Sequence, residues 1–227
     1  MNTKDTDRPP VIAVDGPSGS GKGTLASALA SQLGWHLLDS GALYRIVGWA
    51  ANERGIDFAA QSALADMTAG LSIKFSADGI FVDGEAVDEV IRSEASGLAA
   101  SSVAAHGGVR QALEAVQLNL RQPPGLVADG RDMGTAVFPD AFLKIFLVAS
   151  AQERARRRQA QLAERGVEAE YTQLLVAIQS RDERDRSRAI SPLVPAADAV
   201  VLDSTSMSID EVIEQAMGLV VERQTRA

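Results

Sequence analysis

The stretch VIAVDGPSGSGKGT, Val11 to Thr24, decides how the rest of this chain is read. Val11 to Asp15 is a short apolar run that ends in a glycine-rich turn, the pattern of a buried strand. From Gly21 to Leu33 the apolar positions Leu25, Ala28, Leu29 and Leu33 return at helical spacing. Between strand and helix lie Gly16, Pro17, Ser18, Gly19, Ser20, Gly21, Lys22, Gly23 and Thr24. Glycines there let successive backbone N–H groups converge on one concavity, and the helix adds its positive N-terminal end. Lys22 brings a full charge for β- and γ-phosphates. A strict phosphate loop has Ser or Thr directly after the lysine. Gly23 stands there instead, so Mg²⁺ is expected to be held mainly by phosphates and waters, with no protein ligand assigned. A dinucleotide fingerprint fails because position 24 is Thr, although Asp39 lies near the distance of a ribose-binding acid.

Working outward, Trp35 to Leu38 reads as a second buried strand, and Asp39-Ser40-Gly41 offers an N-cap for a helix to about Arg54. This β–loop–α–β–α order predicts a parallel sheet with helical crossovers. LSIKFSADGIFVDGEAV, residues 71–87, breaks the rhythm. Ile73, Phe75, Ile80 and Val82 alternate about Asp78-Gly79, with a second turn at Asp83-Gly84, which predicts a small antiparallel insert. Helical patterns run from about Ser93 to Arg121. Leu126–Asp129 and Phe142–Val148 are further strands, followed by helices over about Ala151–Arg165 and Glu170–Arg188. A last strand, Ala199–Leu202, precedes a helix capped by Ser208.

The chain has 227 residues, no cysteine and two histidines, so disulfides, thiolate catalysis and Cys-based or His-rich metal sites are excluded. No stretch approaches the roughly 20 apolar residues of a membrane helix, and the polar N-terminus has no signal-peptide pattern. The expectation is therefore a cytoplasmic protein without a membrane partner. The net charge of −8 argues against a nucleic-acid polymer as partner. Arg154 to Arg188, however, holds nine arginines against six acids, and the remaining chain carries −11. One arginine-dense segment in an acidic protein points to a small anionic ligand, or else to a solvated helix face laced with ion pairs.

Spacing discriminates between these. Leu174, Ile178, Arg181, Asp185 and Arg188 lie on one helical stripe, so an apolar face turns into Arg/Asp/Arg for its last two turns. Inward arginines need anionic partners, and one aspartate cannot serve two fully. Asp129-Gly-Arg131-Asp132-Met-Gly134 follows a predicted buried strand, where such charges serve a cleft or tighten a loop. Arg45, one turn into the second crossover helix, suits a second phosphate or the surface. Arg154, Arg156, Arg157, Arg158 and Arg165 span more than one face, and Glu164-Arg165-Gly166 closes a helical hairpin able to hinge as a lid.

Six strings together resemble one family: GPSGSGKGT (16–24), LLDSGALYR (37–45), ADGRDMGTAVFPDA (128–141), KIFLVAS (144–150), RDERDRSRA (181–189) and SPLVPAADAVVLDST (191–205). In order, from about Val11 to Val220, they resemble the bacterial cytidylate kinases, which are nucleoside monophosphate kinases. The resemblance implies a P-loop kinase core, with a five-stranded parallel sheet flanked by helices, a small antiparallel insert and a helical lid. It implies a disordered tail over 1–10 and one domain over 11–227, with a monophosphate-binding insert at about 62–106 and an arginine-rich lid at about 154–170. ATP would lie on residues 16–24 and Arg157, with Mg²⁺ as cofactor. Cytidine monophosphate would be held by Ser40, Tyr44, Arg45, Ser101, Arg110, Arg131, Asp132, Asp185 and Arg188. Lys22, Arg131, Arg181 and Arg188 would be catalytic, Asp185 would hold the ribose, and Ser101, Arg110 and Asp132 would read the base. The product would be CDP or dCDP, made by a monomer. A sibling kinase for another monophosphate and a non-catalytic nucleotide-binding module are the competing readings. A nucleic-acid-dependent ATPase lacks its basic face.

Overall fold

The structure, a computed structural model, describes residues 8–76, 79–164 and 166–226, with only the backbone at Glu94 and Arg226. Asp78 of the expected first turn, Arg165 and residues 1–7 of the expected tail lie outside the described residues. Two compact units make up the chain, one of residues 1–38 and 120–227 and the other of residues 39–119.

The larger unit is built on a five-stranded sheet. Strands β1 (Val11–Asp15), β2 (His36–Asp39, whose last residue opens the other unit), β6 (Leu126–Gly130), β7 (Leu143–Val148) and β8 (Val200–Asp203) lie in the order β2-β6-β1-β7-β8. β1 runs parallel to both β6 and β7, and β7 to β8. Burial follows sequence pattern. The continuous apolar runs of β1 and β6 are buried at every residue, whereas the edge strands β2 and β8 bury one residue each. Ile12, Val14, Val127, Ile145 and Leu147 from the sheet meet Leu25 and Leu29 of α1 (Lys22–Leu33) and Val212, Ala216 and Val220 of α9 (Ile209–Arg226) in one core. Ser208 starts α9 with a reciprocal cap: its hydroxyl accepts from Glu211 N, and Glu211 Oε2 accepts from Ser208 N. Pro10 belongs with this sheet, since its carbonyl accepts from Leu126 N at 3.0 Å. Helices α7 (Ala151–Ala163) and α8 (Tyr171–Arg186) complete the unit.

The smaller unit begins with α2 (Ser40–Glu53), capped by Asp39, whose carboxylate accepts from Ala42 N at 3.1 Å. Then come α3 (Gln61–Ala69) and a three-stranded antiparallel sheet of β3 (Ile73–Ser76), β4 (Gly79–Val82) and β5 (Glu85–Ala86). The pairs Ile73–Val82 and Phe75–Ile80 realise the expected alternation. The second turn has positive φ at both Asp83 and Gly84, which an Asp-Gly pair tolerates. The stretch over Ser93–Arg121, where helical patterns are expected, is helical. It divides into α5 (Glu94–Val103) and α6 (Gly107–Asn119), preceded by the short α4 (Asp88–Ile91). The break at 104–106 is closed by His106, whose ring meets Phe58 O at 2.7 Å. Gly108 marks where α3 comes close, because a Cβ there would lie 2.8 Å from Ala65 Cβ. Gly48 does the same between α2 and α5, where a Cβ would lie 2.7 Å from Ala99 Cβ.

Candidate functional site

In the larger unit the turn after β1 folds as its glycines require. Gly16 lies against β7, and a Cβ there would stand 2.1 Å from Leu147 O, so any other residue displaces the strand. Gly19 and Gly21 have φ of 77° and 92°, and Gly21 forms the left-handed N-cap of α1 without a side-chain cap. The loop's N–H groups at the head of α1 are thus left for an external acceptor. Ser20 Oγ is buried with no hydrogen-bond partner among the described residues. Lys22 Nζ lies 3.9 Å from Asp129 Oδ1 at the end of β6, so its charge is held at the loop.

Asp129 also accounts for the glycine after the lysine. A Cβ at Gly23 would be 3.2 Å from Asp129 Oδ2, which places a carboxylate where the usual loop places a hydroxyl. Thr24 is exposed on α1. The Asp129 carboxylate beside the loop suits Mg²⁺ held by phosphates, waters and one acidic side chain.

The loop after β6 is governed by a residue that sequence reading passed over. Asp15, at the end of β1, accepts from Met133 N and Gly134 N at 2.8 Å each. Both carboxylate oxygens are thereby spent on backbone, and the chain turns through one π-helical turn at Met133–Val137. Burial pushes the Asp15 carboxyl up to about 6, against the two N–H groups that lower it, with the charges of Asp132 and Asp129 adding to the rise. Its position in an apolar strand hid it.

Arg131, on that loop, donates Nε to Asp185 Oδ2 at 3.1 Å, and Arg188 donates Nη2 to Asp185 Oδ1 at 2.6 Å. Burial works to raise the Asp185 carboxyl, but Arg131, Arg188 and the nearby charge of Arg181 hold it below the ordinary carboxylate value. Three guanidiniums therefore surround one aspartate whose side chain is 2% exposed. The predicted stripe on α8 is present: Leu174, Ile178 and Arg181 are half-buried and Asp185 is buried, while their neighbours at 176, 177, 179 and 180 are exposed. α8 ends at Arg186, so Arg188 reaches Asp185 from beyond the helix.

The arginines of α7 divide as expected between solvent and interior. Arg156 is largely exposed. Arg157 donates to Ser204 O at 2.6 Å, Glu153 Oε1 at 3.1 Å and Ser20 O at 3.4 Å, beside the phosphate loop. Arg154, which nothing in its spacing distinguished, is buried, as is its partner Asp182.

In the smaller unit, Ser40 and Tyr44 of α2 and Ser101 of α5 are buried. Arg45 donates Nη1 to Ile91 O at 2.9 Å and Ser93 O at 3.2 Å. The Arg110 guanidinium lies over the Tyr44 ring, 5.5 Å from its centroid, and donates to Ala104 O at 3.3 Å. Ser101 and Arg110 thus belong to this unit and Asp132 to the other.

Residues 12–222 match the family model of cytidylate kinase. A cytidylate kinase of Yersinia enterocolitica is 57% identical over 212 residues, covering 92% of each chain, and one of Yersinia pestis is 56% identical over the same shares. Among solved structures, a gluconokinase from Sinorhizobium meliloti is 18% identical over 96% of this chain and 95% of its own, with a TM-score of 0.49, a likeness too distant to bear on the assignment. With a phosphate loop, an arginine cluster on one buried aspartate and more than half its residues shared with curated relatives, this chain belongs to the cytidylate kinase family.

Proposed function

We propose that this protein transfers the γ-phosphoryl group of ATP to cytidine monophosphate, forming CDP and ADP, and accepts the deoxynucleotide as well. The observation that carries the reading is the Arg131–Asp185–Arg188 cluster, with Arg181 beside it, in the unit that holds the phosphate loop. Guanidiniums gathered in this way present planar forks of donors that match a phosphate's oxygens.

The chemistry asks for positioning and charge rather than a base. The acceptor is an already anionic phosphate oxygen, which forms the new P–O bond as the γ-phosphorus parts from the bridging oxygen of ADP. Residues 16–24 and Arg157 bind ATP, with Lys22 on the terminal charge of the triphosphate. Arg131, Arg181 and Arg188 draw off charge as it spreads over the transferring group. Asp129 would offer Mg²⁺ a carboxylate oxygen beside the loop, and the ion would supply further neutralisation. Ser40, Tyr44 and Arg45 serve the monophosphate and Asp185 the ribose. Ser101 and Asp132 accept from the cytosine amino group, while Arg110 donates to N3 and O2. The region 62–106 acts as the monophosphate-binding insert and about 154–170 as a lid that excludes water. No helix among the described residues is long and apolar enough to cross a membrane, and the same proposal takes the protein as a cytoplasmic monomer.

A coupled assay with ATP and a panel of nucleoside monophosphates tests this. The highest kcat/KM is expected with CMP and dCMP. A higher value for AMP, GMP or UMP, or no transfer to any monophosphate, overturns it.

A further inference from the structure

Arg154, near the start of α7, lies against the phosphate loop. Its side chain is 3% exposed, and the carbons of its stem would pass 3.5–3.9 Å from a Cβ at Gly19. Nε donates to Ala149 O at 2.9 Å, and Nη1 donates to Ser18 O at 2.9 Å and to Asp182 Oδ1 at 3.0 Å. Nη2 completes a bidentate pair on Asp182 Oδ2. The two ends of this pair touch different parts of the site. Ser18 is in the phosphate loop, and Asp182 is on α8 between Arg181 and Asp185.

A buried ion pair is a poor stability device, since apolar residues of equal volume serve as well. What apolar residues cannot do is hold a carbonyl. In a planar trans peptide the C=O of Ser18 and the N–H of Gly19 point in opposite directions. With Ser18 O held by Arg154, the Gly19 N–H faces away from it, on the exposed side of the loop. Gly19, at φ 77°, offers little steric resistance to a flip of that peptide, which would turn a carbonyl toward an incoming phosphate.

We propose that Arg154 and Asp182 form a positioning pair that locks the Ser18–Gly19 peptide in its anion-accepting orientation and ties it to the arginine-bearing end of α8. The inference rests on the reading of residues 16–24 as a triphosphate site. Arg154 itself touches no substrate; it acts through the loop.

The test compares wild type with Arg154→Met/Asp182→Leu, which removes both charges at once, so no buried charge is left unpaired and only the Ser18 and Ala149 carbonyls lose a donor. Calorimetric titration with ATP and Mg²⁺, without acceptor, gives Kd, and thermal melting gives Tm. At a Tm within about 4 °C of wild type, ATP Kd is expected to rise about tenfold, the worth of one net hydrogen bond. The coupled assay is expected to show kcat falling about a hundredfold, as for one lost transition-state donor. Wild-type Kd and kcat at that Tm overturn the proposal. Should the double variant fail to fold, Arg154→Lys decides. It keeps the charge on Asp182 but cannot reach three partners, so a raised ATP Kd at retained Tm supports the pair and an unchanged one overturns it. Wild-type protein that binds ATP but phosphorylates no monophosphate defeats the functional reading alone and leaves the Kd comparison decisive. Wild type that does not bind ATP defeats both.

Discussion

In the proposed function two regions of the larger unit meet phosphate, and they are built by opposite means. The loop at residues 16–21 works with backbone. Glycines with positive φ, one of them capping α1, leave N–H groups unspent, and Lys22 is its only full positive charge. The cluster at Arg131, Arg181 and Arg188 works with side chains drawn from two segments 50 residues apart, held together by Asp185. Backbone dipoles are set by local conformation and need no counter-charge. Three guanidiniums repel one another and exist side by side only because a buried carboxylate sits among them. The first kind of site keeps its shape when its own charge is lost, with Arg154 holding one of its carbonyls; the second does not.

Removing charge from each region gives the sharpest contrast. Lys22→Ala is expected to lower kcat about a thousandfold, the upper end for one lost transition-state donor, with Tm unchanged, because the loop's shape belongs to its backbone. Near wild-type turnover sinks the role given to Lys22, and a large drop in Tm breaks the contrast itself. Asp185→Ala is expected to do the reverse. Leaving buried arginines without their carboxylate costs about 3 kcal/mol, which lowers Tm by about 10 °C in a chain of this size. Added sulfate recovers part of that loss by standing in for the missing charge. An unchanged Tm would mean that the cluster is not organised by charge.

Acid titration separates the regions next. Asp185 is held below its ordinary value, so its contribution is present above about pH 4 and lost as pH falls through the lowered value. Asp15 has the opposite sign. Its carboxyl is raised from 3.8 to about 6, so the folded state binds the proton more tightly and stability declines as pH rises from about 4 to about 6, then levels. At 1.36 kcal/mol for each pH unit the decline amounts to at most about 3 kcal/mol. Asp15→Asn removes this titration, so the wild-type Tm, relative to the variant's, should fall across that window; a constant difference refutes the raised value. The smallest effect concerns the base. Asp132→Ala is expected to narrow the kcat/KM preference for CMP over UMP by about tenfold, through loss of an acceptor for the amino group. An unchanged ratio removes Asp132 from base reading.

The backbone-built loop was legible in sequence because its signal is local: strand, glycines, lysine and helix follow one another within Val11 to Leu33. The alternating insert and the Ser208–Glu211 cap were legible for the same reason. Half of the arginine cluster was legible too, since a stripe on α8 follows from helical period alone. Arg154 was not, because five arginines in one helix carry no mark of which is buried. Neither was α3, nor the break that makes α5 and α6 separate helices, although Gly107-Gly108 stood in the sequence as a signal for it.

The amino-acid sequence by itself determined the strands and most of the helices, that a glycine-rich turn with a lysine follows β1, and that one helix carries charges on its inner face. All three depend on interactions among residues a few positions apart. Only the tertiary structure decided that β1 lies between β6 and β7, and so that Asp15 reaches the N–H groups of Met133 and Gly134. It also decided that Asp129 fills the place left by Gly23, and that Arg154 spends its donors on Ser18 and Asp182. A buried charge takes whichever partner the packing brings within hydrogen-bond distance, and sequence separation does not encode that distance.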